Sequence, residues 1–509
     1  MSNDVEMAWT ARFSAFCAVI ALCACGVRAP KVATPAGPDV ADELVTAGCY
    51  DCLLDARAEY ERRAATTPGA LTRLFEVNVL LALREKELAI DPTETLNRAA
   101  ALVSKLPAGP SDRLLTVVRS LPPDATGRRT LPPNAAAQEE LKSIIAALDA
   151  STFSGVFKSY LKLSIQCGRM TVDALPAGET APLLIYRRAV CENPIRVDPL
   201  REVRKTVPRF IETSFFLGRA AMASFFKTDG REARQLFEEA YARFSNSSSV
   251  AFDLGNLYQA ANECRLADTL FSRALELRPA HEEARLGRTI CRTYLTRSQE
   301  AIADATVLLD TADVSATTRG EAFYWRAWNH RHVGQLALAR ADIDRARTLR
   351  YNARVLTLAG KIEYDQREFD KAREDLERAR DMEATECEAR WYLALVEYAV
   401  EAWAPAANAF ATSATCYDAL VKDSERKRAE MATRGDVSEE FRTKQLAGFD
   451  AAIAEDSVQR SASELNAAIN YGRAGDIPNA TIYMKRAALD PQRREAVEDL
   501  RQVLGVPRW

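Results

Sequence analysis

The sequence predicts an all-α protein built mainly from stacked pairs of antiparallel helices. Two observations support this prediction. Small and large apolar residues recur at a regular spacing between Phe210 and Pro491, as expected for repeated helix pairs. The composition, with 48% hydrophobic and 27% charged residues, is that of an ordinary folded protein rather than a disordered one. At 509 residues the chain is long enough for several domains.

Charge and histidine content argue against several classes of function. The formal net charge is −3, so no overall attraction draws the chain to nucleic acid or to an anionic membrane surface. The chain has three histidines, whereas histidine is a frequent general base and metal ligand. The sequence contains no Gly-x-Ser-x-Gly elbow, phosphate-binding loop or His-Glu-x-x-His motif. We therefore expect no catalytic residues, no metal and no cofactor.

The first residues predict export and lipid anchoring. Phe13–Cys23 is an apolar run that is too short to span a bilayer and is typical of a signal peptide. It ends in Leu-Cys-Ala-Cys-Gly, which resembles the lipobox of bacterial lipoproteins. The resemblance implies that residues 1–25 are a lipoprotein signal sequence ending at Cys25, which becomes diacylated. Two acyl chains give stable membrane anchoring.

The residues that follow predict where the protein resides. Gly26 follows the acylated cysteine, whereas an Asp at that place retains enterobacterial lipoproteins at the inner membrane. We therefore expect a periplasm-facing protein in the cell envelope, at the outer rather than the inner membrane. Residues 26–45, rich in Pro, Ala and Gly, are predicted to be a flexible tether. Soluble secretion after cleavage near Ala29, and translation from Met7 instead of Met1, stay open.

One segment shows the repeat most clearly. Small residues let two helices approach closely, large residues fill the gap between them, and proline ends the second helix. The segment matches the tetratricopeptide signature at Leu254, Gly255, Tyr258, Ala267, Phe271, Ala274 and Pro279. It is similar to the tetratricopeptide repeat family, which implies a TPR-like α-solenoid, a right-handed superhelix of helix pairs.

Further units of the same kind are predicted on both sides. The preceding unit has its first helix at Phe210–Phe226 and its small residue at Ala221. The following unit uses Leu286-Gly287, with about two extra residues in its turn. Later units are marked at their small positions by Ala327, Gly360, Ala394 and Ala468.

The rest of the folded chain is also predicted to be helical. Residues 210–415 form the predicted solenoid. In residues 416–509, two long charged helices over Tyr417–Arg460 precede a last repeat-like unit. Residues 46–209 are predicted to form an irregular helical domain, with helices at Tyr50–Ala65, Leu71–Ala89, Thr93–Leu106, Ala135–Leu148 and Gly155–Gln166.

The family resemblance also implies a binding surface. The first helices of stacked pairs line a concave groove, and Trp, Tyr and Arg dominate the energetics of protein interfaces. An acidic segment or a C-terminal carboxylate would suit the side chains implied here. The groove residues are Arg288, Arg292, Tyr324, Trp328, Arg331, Arg354, Lys361 and Trp391.

Two considerations limit this interpretation. The same aromatic residues could instead fill the contacts between repeats, with the arginines paired to Asp342, Asp344 or Asp365. The carboxylate clamp of the chaperone-binding members is also absent, because Phe252 stands where they have Lys.

The cysteines fit an oxidising compartment. Once Cys17 and Cys23 are removed with the signal and Cys25 is acylated, an even set remains, which suggests disulfides in an exported protein. Free thiols remain the alternative for the pair that faces the groove. The predicted pairs are Cys387–Cys416 and Cys264–Cys291 from the repeat frame, Cys167–Cys191 around a Pro- and Gly-containing segment, and Cys49–Cys52 as a local or partner disulfide.

These features together predict a non-catalytic protein–protein interaction scaffold. It would be a membrane-tethered lipoprotein that binds a segment of another protein in its concave groove, in envelope assembly or export. The expected partners are proteins or peptide segments, with no nucleic acid and no metal. The alternative is an accessory subunit or small-ligand carrier, with a pocket between residues 46–209 and the repeats.

Overall fold

The computed structural model describes residues 39–120, 151–164, 178–192, 194–223 and 230–509, with short helical stretches at 139–140, 142–144 and 146–147. Within these residues all regular secondary structure is helical, so the predicted all-α class is confirmed. The predicted signal peptide with Cys25, and half of the predicted helix Ala135–Leu148, lie outside them. Val40–Trp509 forms one compact unit, which contains the three predicted folded segments.

The N-terminal helices surround one buried helix, α3. Every residue of Leu74–Glu87 in α3 is buried, because α2, α4 and α5 pack around it. Since α1 begins at Val40 and buries Ala41, the tether predicted over 26–45 is too long. The sequence prediction also missed the short helices α5, α7 and α8. The helices are α1 (Val40–Ala47), α2 (Tyr50–Arg63), α3 (Ala70–Glu87), α4 (Thr93–Val103), α5 (Ser111–Ser120), α6 (Gly155–Ser164), α7 (Pro182–Cys191) and α8 (Val197–Thr206).

The following helices stack in antiparallel pairs, as the repeat predicts. Each helix packs against the next along the chain, and the first helices of neighbouring pairs also touch. The helices are α9 (Glu212–Met222), α10 (Arg231–Arg243), α11 (Ser248–Ala260), α12 (Cys264–Leu277), α13 (Glu282–Tyr294), α14 (Ser298–Asp310), α15 (Ala316–His332), α16 (Leu336–Leu349), α17 (Ala353–Asp365), α18 (Phe369–Met382), α19 (Cys387–Ala399), α20 (Trp403–Thr433), α21 (Glu439–Arg473), α22 (Ile477–Ala487) and α23 (Arg494–Val503), with a 3₁₀ turn at Pro491–Arg493.

Glycine and a large apolar residue meet inside the pairs. A Cβ added at Gly255 would lie 2.8 Å from the ring of Phe271, and one at Gly360 would lie 2.5 Å from Leu376. Any larger residue at these two glycines would force the helices apart. The helix pairs therefore have the tetratricopeptide arrangement.

The turns inside the pairs repeat the same backbone geometry. One residue in each turn has a positive φ, and the next residue donates its N–H to the carbonyl five residues earlier, as in Glu263 to Tyr258 at 2.8 Å. This is the Schellman pattern that ends a helix. The positive-φ residues are Asn262, Thr296, Gly334, Arg367, Glu401 and Gly475.

The turn at Thr296 shows that one unit was predicted in the wrong register. Helix α13 and its turn at Thr296 match α11 and its turn at Asn262 in length, so the turn holds no extra residues. Thr289, fully buried, occupies the place of Gly255, and Leu286-Gly287 imitates the signature two residues early. In the preceding unit, a Cβ added at Gly218 would lie 2.9 Å from the ring of Phe237, and the first helix is described over Glu212–Met222, within the predicted Phe210–Phe226.

The two long helices form a hairpin that projects from the repeats. Helix α20 extends the second helix of its pair, and α21 ends as the first helix of the last pair, so the predicted Tyr417–Arg460 insertion is a continuation of repeat helices. An apolar cluster around Val437 closes the tip. Near the tip, the Nζ of Lys444 lies 2.6 Å from Glu263 in the turn between α11 and α12. The hairpin thus reaches back to a much earlier pair.

A buried ionic network joins the N-terminal helices to the repeats. Arg84, at 0% exposure, pairs with Glu87 at 2.8 Å and with Glu212 of α9. Glu87 also pairs with Arg187 and accepts a hydrogen bond from the Tyr160 hydroxyl at 2.7 Å. Burial raises the pKa of Glu212, although the nearby Arg84 opposes this effect. The junction is filled by side chains that bind one another.

The cysteines follow the predictions in part. Cys49–Cys52 and Cys387–Cys416 are disulfide-bonded, as predicted. Cys191 is disulfide-bonded as well, while Cys167 lies outside the described residues. Cys264 and Cys291 remain free thiols rather than the predicted bridge. Burial raises the pKa of both thiols.

Removing the Cys387–Cys416 bridge should lower stability measurably. Its two cysteines are 29 residues apart, and opening a loop of this size restores conformational freedom to the unfolded chain. We expect the double variant Cys387→Ala, Cys416→Ala to lose about 2–4 kcal/mol of unfolding free energy in urea titrations. The matched variant Cys49→Ala, Cys52→Ala opens a loop of only 3 residues and should lose less. Equal losses in the two variants would contradict the loop argument.

A buried carboxylate in α17 should make stability depend on pH. Glu363 is nearly fully buried, and its carboxylate lies 2.8 Å from Arg340. The negative charge of Asp375 acts on Glu363 as well. Burial and Asp375 raise the pKa of Glu363 above its ordinary 4.5. The folded state then binds a proton on Glu363 more tightly than the unfolded chain does. The contribution of Glu363 to the free energy of unfolding is therefore greatest below its unfolded-state pKa and decreases as the pH rises through the higher folded-state pKa.

Replacing this carboxylate tests its effect on stability. The variant Glu363→Gln should show a smaller loss of unfolding free energy between about pH 5 and about pH 8 than the parent protein. Urea titrations at both pH values measure the difference. An exposed carboxylate, Glu374, offers the control variant Glu374→Gln, which should keep the parent's slope. The explanation fails if the parent and Glu363→Gln have the same slope.

Candidate functional site

The register of α13 changes which side chains face the groove. We call outward positions those places on the first helix of a repeat whose side chains face the groove in the tetratricopeptide pattern. In the corrected register the outward positions of α13 include Leu286, Ile290, Thr293 and Tyr294. Arg288 instead forms a two-pronged ion pair with the buried Asp304, at 2.6 and 2.8 Å. Arg292 binds Asp304 at 2.8 Å and Asp268 at 3.0 Å. Neither arginine offers free charge to a guest, which corrects the sequence prediction for both.

Two further predicted cations are also engaged within the protein. The Nε of Arg331 lies 2.6 Å from Asp365, and its guanidinium donates to the hydroxyl of Tyr392 at 3.1 Å. The Nζ of Lys361 pairs with Glu388 and lies 4.6 Å from the centre of the Trp328 ring. Burial lowers the pKa of Lys361, while Glu388 opposes the shift. These cations stabilise the groove wall rather than present charge.

The other predicted residues mostly meet at one cavity, which we call the aromatic pocket. Its volume is about 440 Å³, and it lies between the end of α13, the start of α14, α15 and the start of α17. Tyr324, Trp328 and Arg354 were predicted as groove residues. The walls are formed by Thr293, Tyr294, Thr296, Ser298, Tyr324, Trp325, Trp328, Asn329, His332 and Arg354.

Arg354 is the cation that remains available at this pocket. Its guanidinium carbon lies 4.1 Å from the centre of the Tyr324 ring and 4.8 Å from that of Trp325, which are cation–π distances. The side chain is exposed, and it makes no ion pair with any carboxylate of the described residues. Stacking and a hydrogen bond with the Tyr324 hydroxyl hold the guanidinium in place, while its charge stays available to pair with a carboxylate.

Two polar atoms in the pocket wall have no hydrogen-bond partner among the described residues. The indole Nε1 of Trp325, a residue only 6% exposed, is unpaired, and so is the Oδ1 of the fully buried Asn329. The Nδ2 of Asn329 donates to the Thr293 hydroxyl at 2.7 Å and to the Trp325 carbonyl at 2.8 Å. Unpaired buried polar atoms are uncommon in proteins and costly to maintain.

Sequence reasoning missed Tyr294, Trp325 and Asn329. Tyr294 is 67% exposed and packs edge-on against Trp325, with ring centres 5.8 Å apart. If the sequence prediction had assumed the same turn length in every unit, it would have placed Tyr294 on the groove. Trp325 and Asn329 are not at the family's outward positions, so no signal in the repeat pointed to them.

Trp391 lies away from the aromatic pocket. Its ring is half-buried and packs edge-on against Phe410, with centres 5.2 Å apart. It contributes to a separate apolar cluster between α19, α20 and α21. The structure therefore does not bring Trp391 together with Trp328.

A second cavity adjoins the aromatic pocket. It measures about 520 Å³ and is lined by the turn residues Asn262–Leu266 together with Tyr294 and Leu295. Tyr294 lines both cavities. A larger cavity of about 680 Å³ between α20, α21 and α22 is lined by charged side chains, of which Asp418 and Arg460 pair at 2.9 Å.

The described residues contain neither a metal-binding cluster nor a membrane-spanning helix. No group of three or more His, Cys, Asp or Glu side chains in this part of the chain is placed to hold a metal ion. Across the same residues, no helix has the length and apolar character needed to cross a bilayer.

Comparisons with known proteins find partial likeness in structure. No protein-family model matches the chain, and no curated protein does. YrrB, described as a TPR protein with an unusual peptide-binding site, is 17% identical over 35% of this chain and 91% of its own, with a TM-score of 0.30. PilF of Pseudomonas aeruginosa is 15% identical over 38% and 86%, with a TM-score of 0.34. A tetratricopeptide repeat protein of Parabacteroides merdae is 18% identical over 51% and 91%, with a TM-score of 0.30. These values are too low to transfer a ligand.

Proposed function

We propose that this protein is a non-catalytic scaffold that binds a segment of another protein on the concave face of its repeats, with the aromatic pocket as the main anchor. The observation that carries the proposal is the cluster of Tyr294, Tyr324, Trp325 and Trp328 around a cavity of about 440 Å³. At its edge lies Arg354, which has no carboxylate partner among the described residues. Aromatic and arginine side chains of this kind supply most of the binding energy in protein interfaces.

The site suits an extended chain segment better than a compact small ligand. The aromatic pocket and the neighbouring 520 Å³ cavity share Tyr294, so two side chains of one segment could occupy them together. The alternative function, a small-ligand carrier with its site between residues 46–209 and the repeats, has less support. That junction is occupied by Arg84, Glu87 and Glu212, which pair with one another.

Capture of partners in intact cells would test the groove. Photo-crosslinking followed by mass spectrometry should recover one partner set with the parent protein, and Trp328→Ala should lose it, because truncating a central interface tryptophan costs about 2 kcal/mol or more, roughly 30-fold in affinity. Arg354→Glu should weaken capture if the guest carries a carboxylate.

The controls separate binding from folding. Trp509→Ala removes an exposed tryptophan at the C-terminal end and should leave the partner set unchanged. The thermal unfolding curve of Trp328→Ala should resemble that of the parent. Unchanged partners in Trp328→Ala, with the fold intact, would remove the groove from the proposal.

We also place the protein at the cell envelope, anchored through Cys25 and facing the periplasm, with a role in envelope assembly or export. The support is the Leu-Cys-Ala-Cys-Gly sequence ending the apolar run. Cells expressing Cys25→Ala should lose labelling by radioactive palmitate and should move the protein from the membrane to the soluble fraction. Labelling that persists in Cys25→Ala would reject the anchor.

A further inference from the structure

We propose that the aromatic pocket recognises a peptide amide group of its guest, through the indole N–H of Trp325 and the side-chain oxygen of Asn329. This inference rests on the proposed function and specifies the chemistry of that same site. Trp325 and Asn329 are four residues apart on α15, so their side chains lie on one side of the helix. Both line the pocket, and the two atoms have no partner in the described part of the chain.

The other contacts of Asn329 determine which atom of its side-chain amide is still able to bind a guest. Its Nδ2 donates to two acceptors that the fold holds in place, the Thr293 hydroxyl and the Trp325 carbonyl. These bonds satisfy both N–H groups of the amide, so its oxygen is the unused group. The wall therefore holds one unused donor, from Trp325, and one unused acceptor, from Asn329.

An amide matches this pair with two separate atoms, whereas a hydroxyl would have to donate and accept at one oxygen. Because the C=O and N–H of a trans amide point in opposite directions, the amide would lie between the two atoms, with its carbonyl accepting from the indole N–H and its N–H donating to the Asn329 oxygen. A carboxylate or an ester could satisfy Trp325 but would set an oxygen against the oxygen of Asn329, and a protonated amine, which has no acceptor, would leave the indole unpaired. Sites with buried polar groups discriminate strongly against ligands that leave those groups unpaired.

Both unpaired atoms are shielded from solvent in this structure, so a guest must displace a side chain to reach them. Of the two aromatic rings packed against Trp325, Tyr324 is buried and Tyr294 is 67% exposed. Movement of Tyr294 disturbs the fewest contacts. Because Tyr294 also borders the neighbouring cavity, an extended peptide can occupy both cavities and present a main-chain amide to α15 between them.

Two small probes that differ in a single group test this inference. 3-Phenyl-N-methylpropanamide carries an aromatic ring and an amide, and methyl 3-phenylpropanoate replaces the N–H by oxygen. We expect the amide to bind the full chain about 10-fold more tightly than the ester, since one hydrogen bond to Asn329 is lost and an oxygen–oxygen contact replaces it. The affinities come from titrations that follow the ¹⁵N-labelled indole resonance of Trp328, which lines the same pocket and is present in every variant compared.

Variants assign the donor. Trp325→Phe should weaken both probes by about 10-fold, because both carry a carbonyl, and Trp403→Phe, outside the pocket, should change neither affinity. Equal affinity of the parent protein for amide and ester would overturn the inference, and that measurement needs no variant to fold. Tighter binding of N-acetylglucosamine than of the phenyl amide would assign the site to an acetamido sugar and overturn the peptide assignment. Equal probe affinities together with lost partner capture in Trp328→Ala would reject the amide contact while leaving the groove proposal standing.

Discussion

Replacing Arg84 by methionine is expected to lower the free energy of unfolding by about 3–5 kcal/mol. Arg84 has no solvent exposure, and its guanidinium neutralises both Glu87 and Glu212. It also stacks on Tyr186 at 3.9 Å. Without it, Glu212 keeps the backbone N–H of Tyr50 as a hydrogen-bond donor but loses its cation in a site that excludes water. An unpaired buried charge is among the most costly defects in a protein.

Urea titrations of the purified protein would measure this loss. Arg98→Met removes an arginine whose partner, Glu94, is exposed, and it should leave the unfolding curve almost unchanged. The double variant Arg84→Met, Glu212→Leu should recover part of the loss, because apolar side chains can replace a buried ion pair when both partners are removed. A single variant as stable as the parent would show that the network contributes nothing to stability.

Phe271→Ala should cost a similar amount, about 3–5 kcal/mol. The ring is fully buried, and it lies against Gly255 of its own pair and against Gly287 of the next pair, where added Cβ atoms would come within 2.8 and 2.7 Å. One side chain therefore fills the space between α11, α12 and α13. Since glycine has no side chain to move into the cavity, the alanine variant leaves a void that the neighbours cannot fill.

The position of this loss along the chain can be measured. In a stack where each pair contacts its neighbours, a defect destabilises the adjacent pairs most. Hydrogen exchange should speed up in α11–α14 more than in the last pair. Leu266→Ala, which shortens an exposed leucine of α12, serves as the control and should leave exchange unchanged. Uniform acceleration along the whole chain would contradict the nearest-neighbour explanation.

The sequence predicted the repeat well because the repeat depends on side-chain size. Gly255 packs against Phe271, and Gly360 packs against Leu376, at distances that leave no room for a Cβ. The spacing between the small residue and the large residue can therefore be recognised in the sequence of a single unit. The register of α13 was wrong because Leu286-Gly287 has the same two residues as the signature, while the buried Thr289 stands at the position equivalent to Gly255. The turn at Thr296 decides between them, and its backbone conformation is not evident from a threonine.

The site was predicted less completely than the fold. Tyr324, Trp328 and Arg354 were found because they stand at outward positions of a correctly aligned helix. The partners of Arg288 and Arg331 depend on which carboxylates the packing brings near, and several acidic residues were equally possible from the sequence. The buried network around Arg84 gave no sequence signal, since charged residues in a helix usually indicate an exposed face.

The reach of the α20–α21 hairpin has a mechanical consequence. A stack of helix pairs bends and extends easily when each pair touches only its neighbours. Here Lys444 contacts Glu263, so the hairpin is connected directly to the much earlier pair that contains Glu263. The helix pairs between Glu263 and the base of the hairpin are therefore linked at both ends. Separating the two ends of this stretch requires the contact to break. Because an exposed ion pair is weak and is screened by salt, this restraint is small and decreases further as the ionic strength rises.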